Sequence, residues 1–274
     1  MGSRRLQDRV ALVTGASSGI GWATAHALAR EGARLALVAR RAAALEACAT
    51  AIRARGGAAL VLPADVTQPD EVARAVDATL ARWGRVDILV TSAGAYIRSP
   101  IATMTAATVE RSLAVNFYGT LYPVLAVLPH MRAQRRGHLV LVSSMDGKKG
   151  LPRDAPYVVA KFAVAGFGDV LRQELHGSGV YATTVFPGRV DTPLIATLRV
   201  PWISPKIPAT AVARAIIRAI DRRQAEVILP FPARALLYAH TLSPRLADWA
   251  TRLLHLEGWE TPAPGATTQG DLVK

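Results

Sequence analysis

Along the first two-thirds of the chain, short apolar runs alternate with longer stretches rich in Ala, Leu and Arg. The runs at residues 10–13, 34–39, 58–62, 86–91, 138–142, 180–186 and 226–229 read as strands. A strand buried on both faces shows continuous apolar character in place of strict alternation. The intervening stretches have helical character and are long enough for right-handed crossovers, which must cover both faces of a sheet. The pattern predicts an α/β fold: one doubly wound domain over residues 8–230, with a seven-stranded, mostly parallel sheet flanked by helices on both faces. Near residue 187 the pattern changes and prolines accumulate, at 187, 193, 201, 205, 208, 230, 232 and 244. A substrate-shaping lid is expected at about 189–210. A helical extension is expected at 231–260 and a flexible tail, rich in Pro, Gly and Thr, at 261–274.

Composition narrows the picture. With 274 residues, 51% of them hydrophobic, the chain can bury a substantial core. Residues 112–131 contain no Asp, Glu, Lys or Arg, a stretch long enough to span a bilayer. Asn116, Gly119, Thr120, Pro123 and Pro129 within it favour a helix buried in the protein or at a subunit contact. The formal charge of +13 suits a phosphorylated partner. The basic residues are dispersed, in pairs such as Arg40-Arg41, Arg135-Arg136 and Lys148-Lys149, without interleaved aromatics, so no nucleic-acid partner is expected. Cys48 is the only cysteine, which excludes an internal disulfide and fits a reducing, cytoplasmic setting. The start of the chain reaches only a short apolar run before a glycine turn, so no export signal is expected. No metal site is expected either. The extension, with Leu236, Leu242, Leu246, Trp249 and Leu253 among His and Arg, is amphipathic. It is expected to pack over a pocket or against another subunit, with weak peripheral membrane contact as the alternative.

The first strand runs into Thr14-Gly15-Ala16-Ser17-Ser18-Gly19-Ile20-Gly21 and then a helical stretch. At a strand–turn–helix junction, glycines let backbone N–H groups approach a pyrophosphate, and the helix N-terminus adds unpaired donors and partial positive charge. The second strand ends at Arg40-Arg41, nineteen positions past Gly21. Guanidinium groups there pair with a ribose 2′-phosphate, where an acidic side chain would serve a free hydroxyl. NADP(H) is therefore the expected cofactor. Asp65, with Val66 beside it, stands just past the third strand, placed either to hydrogen-bond the adenine or to cap the next helix.

Tyr157 and Lys161 lie four residues apart, on one face of a helix. Carbonyl reduction needs a proton donor at oxygen as hydride reaches carbon, and a free phenol, with a pKa of about 10, exchanges protons poorly near neutrality. A neighbouring ammonium is expected to lower that pKa. Ser144 ends the fifth strand, at the sheet edge where open α/β sheets bind ligands, and can hold the carbonyl. Asn116 reads either as a satisfied structural amide or as the holder of a relay water behind Lys161.

These motifs resemble the classical short-chain dehydrogenase/reductase family over roughly residues 8–230, whose domain is Rossmann-like. The resemblance implies a tetrad of Asn116, Ser144, Tyr157 and Lys161, with the tyrosine as acid/base, the serine orienting substrate and Lys161 also binding the nicotinamide ribose. It implies a cofactor turn at Gly15, Gly19 and Gly21, with Ser17, Ser18 and Ile20 in the same loop. Pro187-Gly188 matches the family's motif after the sixth strand, with Val190 and Thr192 at the nicotinamide carboxamide. Where the family usually has Asn-Ala-Gly, this chain has Ser92-Ala93-Gly94, a departure expected to alter local support of the cofactor site. The implied activity is hydride transfer between NADP(H) and a small-molecule ketone, aldehyde or alcohol, in a homodimer or homotetramer. The rival readings are a catalytically silent NADP-sensing protein of the same fold and an epimerase or dehydratase variant. Tyr96, Met145, Leu198, Val200 and Trp202 hint at a bulky apolar substrate, a hint blunted by Asp146 and several arginines.

Overall fold

The computed structural model describes residues 5–231 and 233–260; the expected tail at 261–274 lies outside them. In chain order the strands are β1 (Val10–Thr14), β2 (Arg34–Ala39), β3 (Ala59–Pro63), β4 (Ile88–Thr91), β5 (Gly137–Val142), β6 (Val180–Pro187), β7 (Val190–Asp191), β8 (Leu198–Arg199), β9 (Ile207–Pro208), β10 (Glu226–Leu229) and β11 (Trp259–Glu260). The helices are α1 (Gly19–Arg30), α2 (Ala42–Arg53), α3 (Pro69–Trp83), α4 (Ala106–Leu113), α5 (Gly119–Ala133), α6 (Ala155–Glu174), α7 (Ala209–Arg222), α8 (Ala233–Leu242) and α9 (Pro244–Leu253).

Seven strands form one sheet in the order β10-β6-β5-β4-β1-β2-β3, with every pairing parallel. Side chains in a strand alternate between faces, and here both faces are covered. Ala11, Val13, Leu35, Leu37, Ile88 and Val90 point into one buried cluster with α1, α2 and α7. Leu12, Ala36, Val38, Leu89, Leu139 and Leu141 point into the other, against α3, α5 and α6. The continuous apolar runs of the sequence are thus two interleaved half-patterns, one per face. The order of connections reverses between β1 and β4, which opens a crevice at the carboxyl ends of those strands.

Three departures from the sequence expectation have local causes. The fourth strand begins at Ile88, two residues later than expected, because the Asp87 carboxylate takes the Val10 N–H at 2.9 Å. Arg9, Arg85 and Arg136 close on that buried carboxylate at 3.0–3.5 Å, pinning the edge of the sheet opposite the crevice. The uncharged stretch is not one regular helix: a π-helical turn, Ala114–Tyr118, separates α4 from α5. The whole stretch Ala106–Ala133 is long and apolar enough to cross a bilayer by length and composition alone, yet Val124, Val127 and Met131 are buried in the core. Finally, the proline-rich region folds into short two-residue pairings, β7 with β9 and β8 with β11, where the sequence suggested only a lid.

His138 on β5 is buried and shares a 2.8 Å hydrogen bond with Thr183 Oγ1. Burial, with a contribution from the charge of Arg223, holds its pKa down to about 4. The unfolded chain takes up a proton on this residue near pH 6.5, the folded chain only near 4. Stability is therefore lost as pH falls through that window, by on the order of 3 kcal/mol in total. In denaturant titrations between pH 6.5 and 4, His138→Gln is expected to flatten the pH dependence of the wild type; parallel curves for the two proteins would remove His138 as the cause.

Candidate active site

At the first βα turn the backbone passes close to the neighbouring strand. Gly15 has φ +69°, and a Cβ there would stand 2.7 Å from Ala93 N and 2.8 Å from Ser92 O. Gly19, at φ +55°, has Thr192 Cγ2 only 3.0 Å from the position a Cβ would take. Ser18 precedes α1 in extended conformation and its side chain does not cap the helix. The first N–H groups of α1 are thus left to serve a ligand, in a cradle that only glycine permits. Gly21 does not face the crevice. Its hydrogen lies against Gly15, with a Cβ position 2.3 Å from Gly15 O, so its part is to seat α1 on the turn.

The crevice holds two adjoining clefts that share Ile20, Ser92, Gly94, Thr192 and Leu194 on their walls. Every other residue singled out from the sequence lines one cleft or the other, Gly21 excepted. In the cleft beside the glycine turn, Arg41 donates to Ser17 Oγ at 3.1 Å, and the largely exposed Arg40 reaches to 3.9 Å from Asp65 Oδ2. Asp65 Oδ1 accepts from both N–H and hydroxyl of Thr67 at 2.9 Å. Its carboxylate therefore shapes the turn leading into α3, the capping alternative, while its residue still forms cleft wall. Ser92, standing where the family has asparagine, donates from Oγ to Thr14 O at 2.7 Å and from its N–H to Thr14 Oγ1 at 3.2 Å. Those bonds knit the ends of β1 and β4 beneath the glycine turn.

The second cleft brings Ser144, Tyr157 and Lys161 together. Lys161 Nζ donates to Val142 O at 3.0 Å and lies 5.5 Å from the centre of the Tyr157 ring. Burial pulls the lysine down to about 8. Burial pushes the Tyr157 phenol well above its usual range, with the negative charge of Asp146 adding to the effect and the Ser144 hydroxyl opposing it. The expected lowering by Lys161 is not what this arrangement produces: the ammonium is directed at a backbone carbonyl, and desolvation outweighs it. Tyr157 is accordingly held as a neutral phenol, a proton donor. Asn116, inside the π-helical turn, accepts from Ala95 N at 3.2 Å and donates to Ala95 O at 2.9 Å and Ser112 O at 3.1 Å. Thr120 Oγ1 donates to the Asn116 carbonyl. The side chain is a satisfied amide that fixes the loop after β4, one of the two readings left open by the sequence.

Over the reactive end lies an ionic group that the sequence showed only in pieces. Asp154, fully buried, accepts from Tyr96 OH and Arg98 Nε, both at 2.7 Å. Burial raises the Asp154 carboxyl, and these two partners pull against it. Tyr96 packs edge-on to Tyr157 at 5.0 Å. Arg98 also donates to Glu257 O at 3.1 Å, and Arg189 donates to Ser204 Oγ at 2.9 Å and to Leu256 O. Two arginines thus hold the C-terminal extension over the cleft, and Leu236 and Leu256 become part of its lining. Of the pocket residues expected by position, Tyr96, Met145, Asp146, Arg189, Val190 and Leu198 line the cleft, whereas Ala95, Pro152 and Trp202 do not. Arg98 and Asp154 belong to no motif and are 56 positions apart, so only the isolated pairing of Ser99 with Asp154 in the fold reveals them.

The family model described as short chain dehydrogenase matches residues 9–201. An uncharacterized oxidoreductase of Listeria monocytogenes is 36% identical over 195 residues, covering 70% of this chain and 79% of the relative. The 11-beta-hydroxysteroid dehydrogenase 1A of Arabidopsis thaliana is 34% identical, covering 93% of this chain and 78% of its own length. A short chain dehydrogenase/reductase from Burkholderia phymatum, solved in complex with NAD, superposes with a TM-score of 0.82 at 24% identity, over 90% of this chain and 96% of that one. Levodione reductase superposes at 0.77 with 29% identity, over 82% and 97%. The glycine turn, the sheet order and the extent of the match agree, and the chain belongs to the short-chain dehydrogenase family of oxidoreductases.

Proposed function

We propose that this protein is an NADP(H)-dependent ketone or aldehyde reductase in which Tyr157 is the general acid/base. The observation that carries the reading is the shared wall of the two clefts: the cradle at Gly15–Gly19 and the Ser144–Tyr157–Lys161 group open onto one crevice. The residues fit a dinucleotide. A side chain at Gly15 or Gly19 would fill the space that a pyrophosphate needs, and Arg40 and Arg41 flank the far end, where a 2′-phosphate would make charge-assisted hydrogen bonds. When bound, the nicotinamide supplies the hydride. Ser144 orients the carbonyl oxygen, Tyr157 delivers the proton to that oxygen, and Lys161 binds the ribose with its ammonium. Leu151, Leu194, Leu198, Leu236 and Leu256 exclude water and receive the apolar body of the substrate. An apolar cavity of this kind agrees with similarity to a plant hydroxysteroid dehydrogenase.

The same reading extends to assembly and setting. Exposed Leu125 on α5 and Val159, Phe162 and Val170 on α6 support pairing of two copies through these helices, in a homodimer or homotetramer. A buried, unpaired Cys48 supports a cytoplasmic location.

Tyr157→Phe is expected to lower kcat for carbonyl reduction by roughly 10²- to 10⁴-fold, with NADPH affinity by fluorescence titration changed only a few-fold. Retention of wild-type kcat would remove the tyrosine from its role. Replacing Arg40 and Arg41 together by Ala is expected to reduce kcat/KM for NADPH by about 10- to 100-fold and leave that for NADH nearly unaltered. A wild type that uses NADH as well as NADPH, with no change of ratio in the double variant, would overturn the cofactor assignment.

A further inference from the structure

Asp146 enters the reactive cleft from the 3-10 turn Met145–Gly147, directly after Ser144. Its Oδ2 accepts from Ser144 Oγ at 3.1 Å, and its own N–H donates to the same Oγ at 3.1 Å. Among the described residues nothing hydrogen-bonds its other oxygen, and the side chain is half-buried in the cleft wall. The nearest cations are directed elsewhere: Arg98 is engaged with Asp154 and the Glu257 carbonyl, Arg189 with Ser204 and the Leu256 carbonyl.

A carboxyl oxygen in a leucine-rich wall without a donor carries a desolvation cost. Here it has a second cost, because it adjoins the site where negative charge gathers on a carbonyl oxygen during reduction. A proton donor carried by the substrate removes both. The distance between the two groups restricts where that donor sits. Ser144 Oγ is the hydroxyl placed to hold the carbonyl oxygen, and the Asp146 carboxyl is 3.1 Å from that same atom. The donor must therefore be a near neighbour of the carbonyl; a hydroxyl on the adjacent carbon can meet Asp146 while the carbonyl stays on Ser144.

We propose that Asp146 is a specificity-determining residue that accepts a hydrogen bond from a hydroxyl on the carbon next to the reacting carbonyl, so that the preferred substrates are α-hydroxy ketones with an apolar body. This rests on the carbonyl-reductase reading above. The opposite end of the cleft, at Leu194, Leu198, Leu236 and Leu256, takes the hydrocarbon. Burial and the neighbouring Asp154 raise the Asp146 carboxyl to about 7. That shift is the mark of a carboxylate whose charge has too little solvation from the protein alone, and a substrate donor restores it.

The test compares three matched ligands: an α-hydroxy octanone, its α-methoxy ether, which keeps the oxygen but cannot donate, and the unsubstituted octanone. Dissociation constants are measured by calorimetry on the NADP⁺-saturated protein, and kcat/KM with NADPH, for wild type, Asp146→Leu and Asp146→Asn. The wild type is expected to prefer the hydroxy ketone to both others by about 10- to 100-fold in both measurements. Asp146→Leu is expected to bring the ratio within about three-fold, and Asp146→Asn, which keeps a neutral acceptor oxygen, to give an intermediate ratio. Ratios within one variant are insensitive to a loss of folded protein. Equal use of the three ligands by the wild type, or a preference that persists in both variants, overturns the proposal while leaving the reductase reading intact. Preferential binding without turnover of any ligand supports the Asp146 subsite and contradicts the reductase reading instead.

Discussion

One buried ammonium organises the reactive end of this protein. Lys161 Nζ donates to the carbonyl of Val142, the last residue of β5, and in the other direction Ser143 Oγ donates at 2.9 Å to the Lys161 carbonyl. These two bonds clamp α6 onto the carboxyl end of the sheet. The clamp leaves no slack: a Cβ on Gly147 would lie 2.6 Å from Lys161 O. Ser144 leaves the strand immediately after the clamp, and Tyr157 sits one helical turn before Lys161 on the same face. The three side chains converge because a helix and a strand end are tied at one point. A lysine taken out of water at this depth loses basicity, and the backbone carbonyl is the partner that keeps its charge tolerable.

The two ends of the sheet are built differently. At the amino ends of β1, β4 and β5, Asp87 is enclosed by three arginines and a backbone N–H, charges that cancel locally and serve the fold. At the carboxyl ends the polar groups face a crevice, and several are only partly matched by partners within the chain. The walls there draw on distant segments. Residues 9–201 match the family, but Pro230, Ala233, Leu236 and Leu256 also line the reactive cleft, and Arg98 and Arg189 hold that extension in place. The glycine turn and the Ser144–Tyr157–Lys161 group lie within the shared family body, while much of the apolar wall comes from the C-terminal extension.

How much of this could be read from sequence depended on range. Strands buried on both faces announce themselves as apolar runs, so all seven sheet strands were legible, most to within a residue or two. The glycine turn was legible because its spacing encodes backbone requirements, although Gly21 serves packing and not the crevice. Interactions between side chains remote in sequence were not legible. The bond from Arg98 to Asp154 depends on two loops meeting, and the later start of β4 depends on one carboxylate substituting for a ladder partner. The direction of the Tyr157 shift was hidden for a related reason: a helical spacing of four places a lysine near a phenol, but does not say that the ammonium turns to Val142 or that Asp146 stands nearby.

The central claim is that hydride and proton reach a carbonyl inside one crevice, from a dinucleotide held at the glycine turn and from Tyr157. The most direct measurement is isotopic: reduce a ketone with NADPH carrying deuterium on the reactive ring carbon, in ordinary water, and locate the label in the alcohol by mass spectrometry and NMR. Deuterium on the carbinol carbon, and none on oxygen or in solvent, is the expected result. An alcohol formed without the label on carbon, or label released to water, would contradict direct transfer in this site.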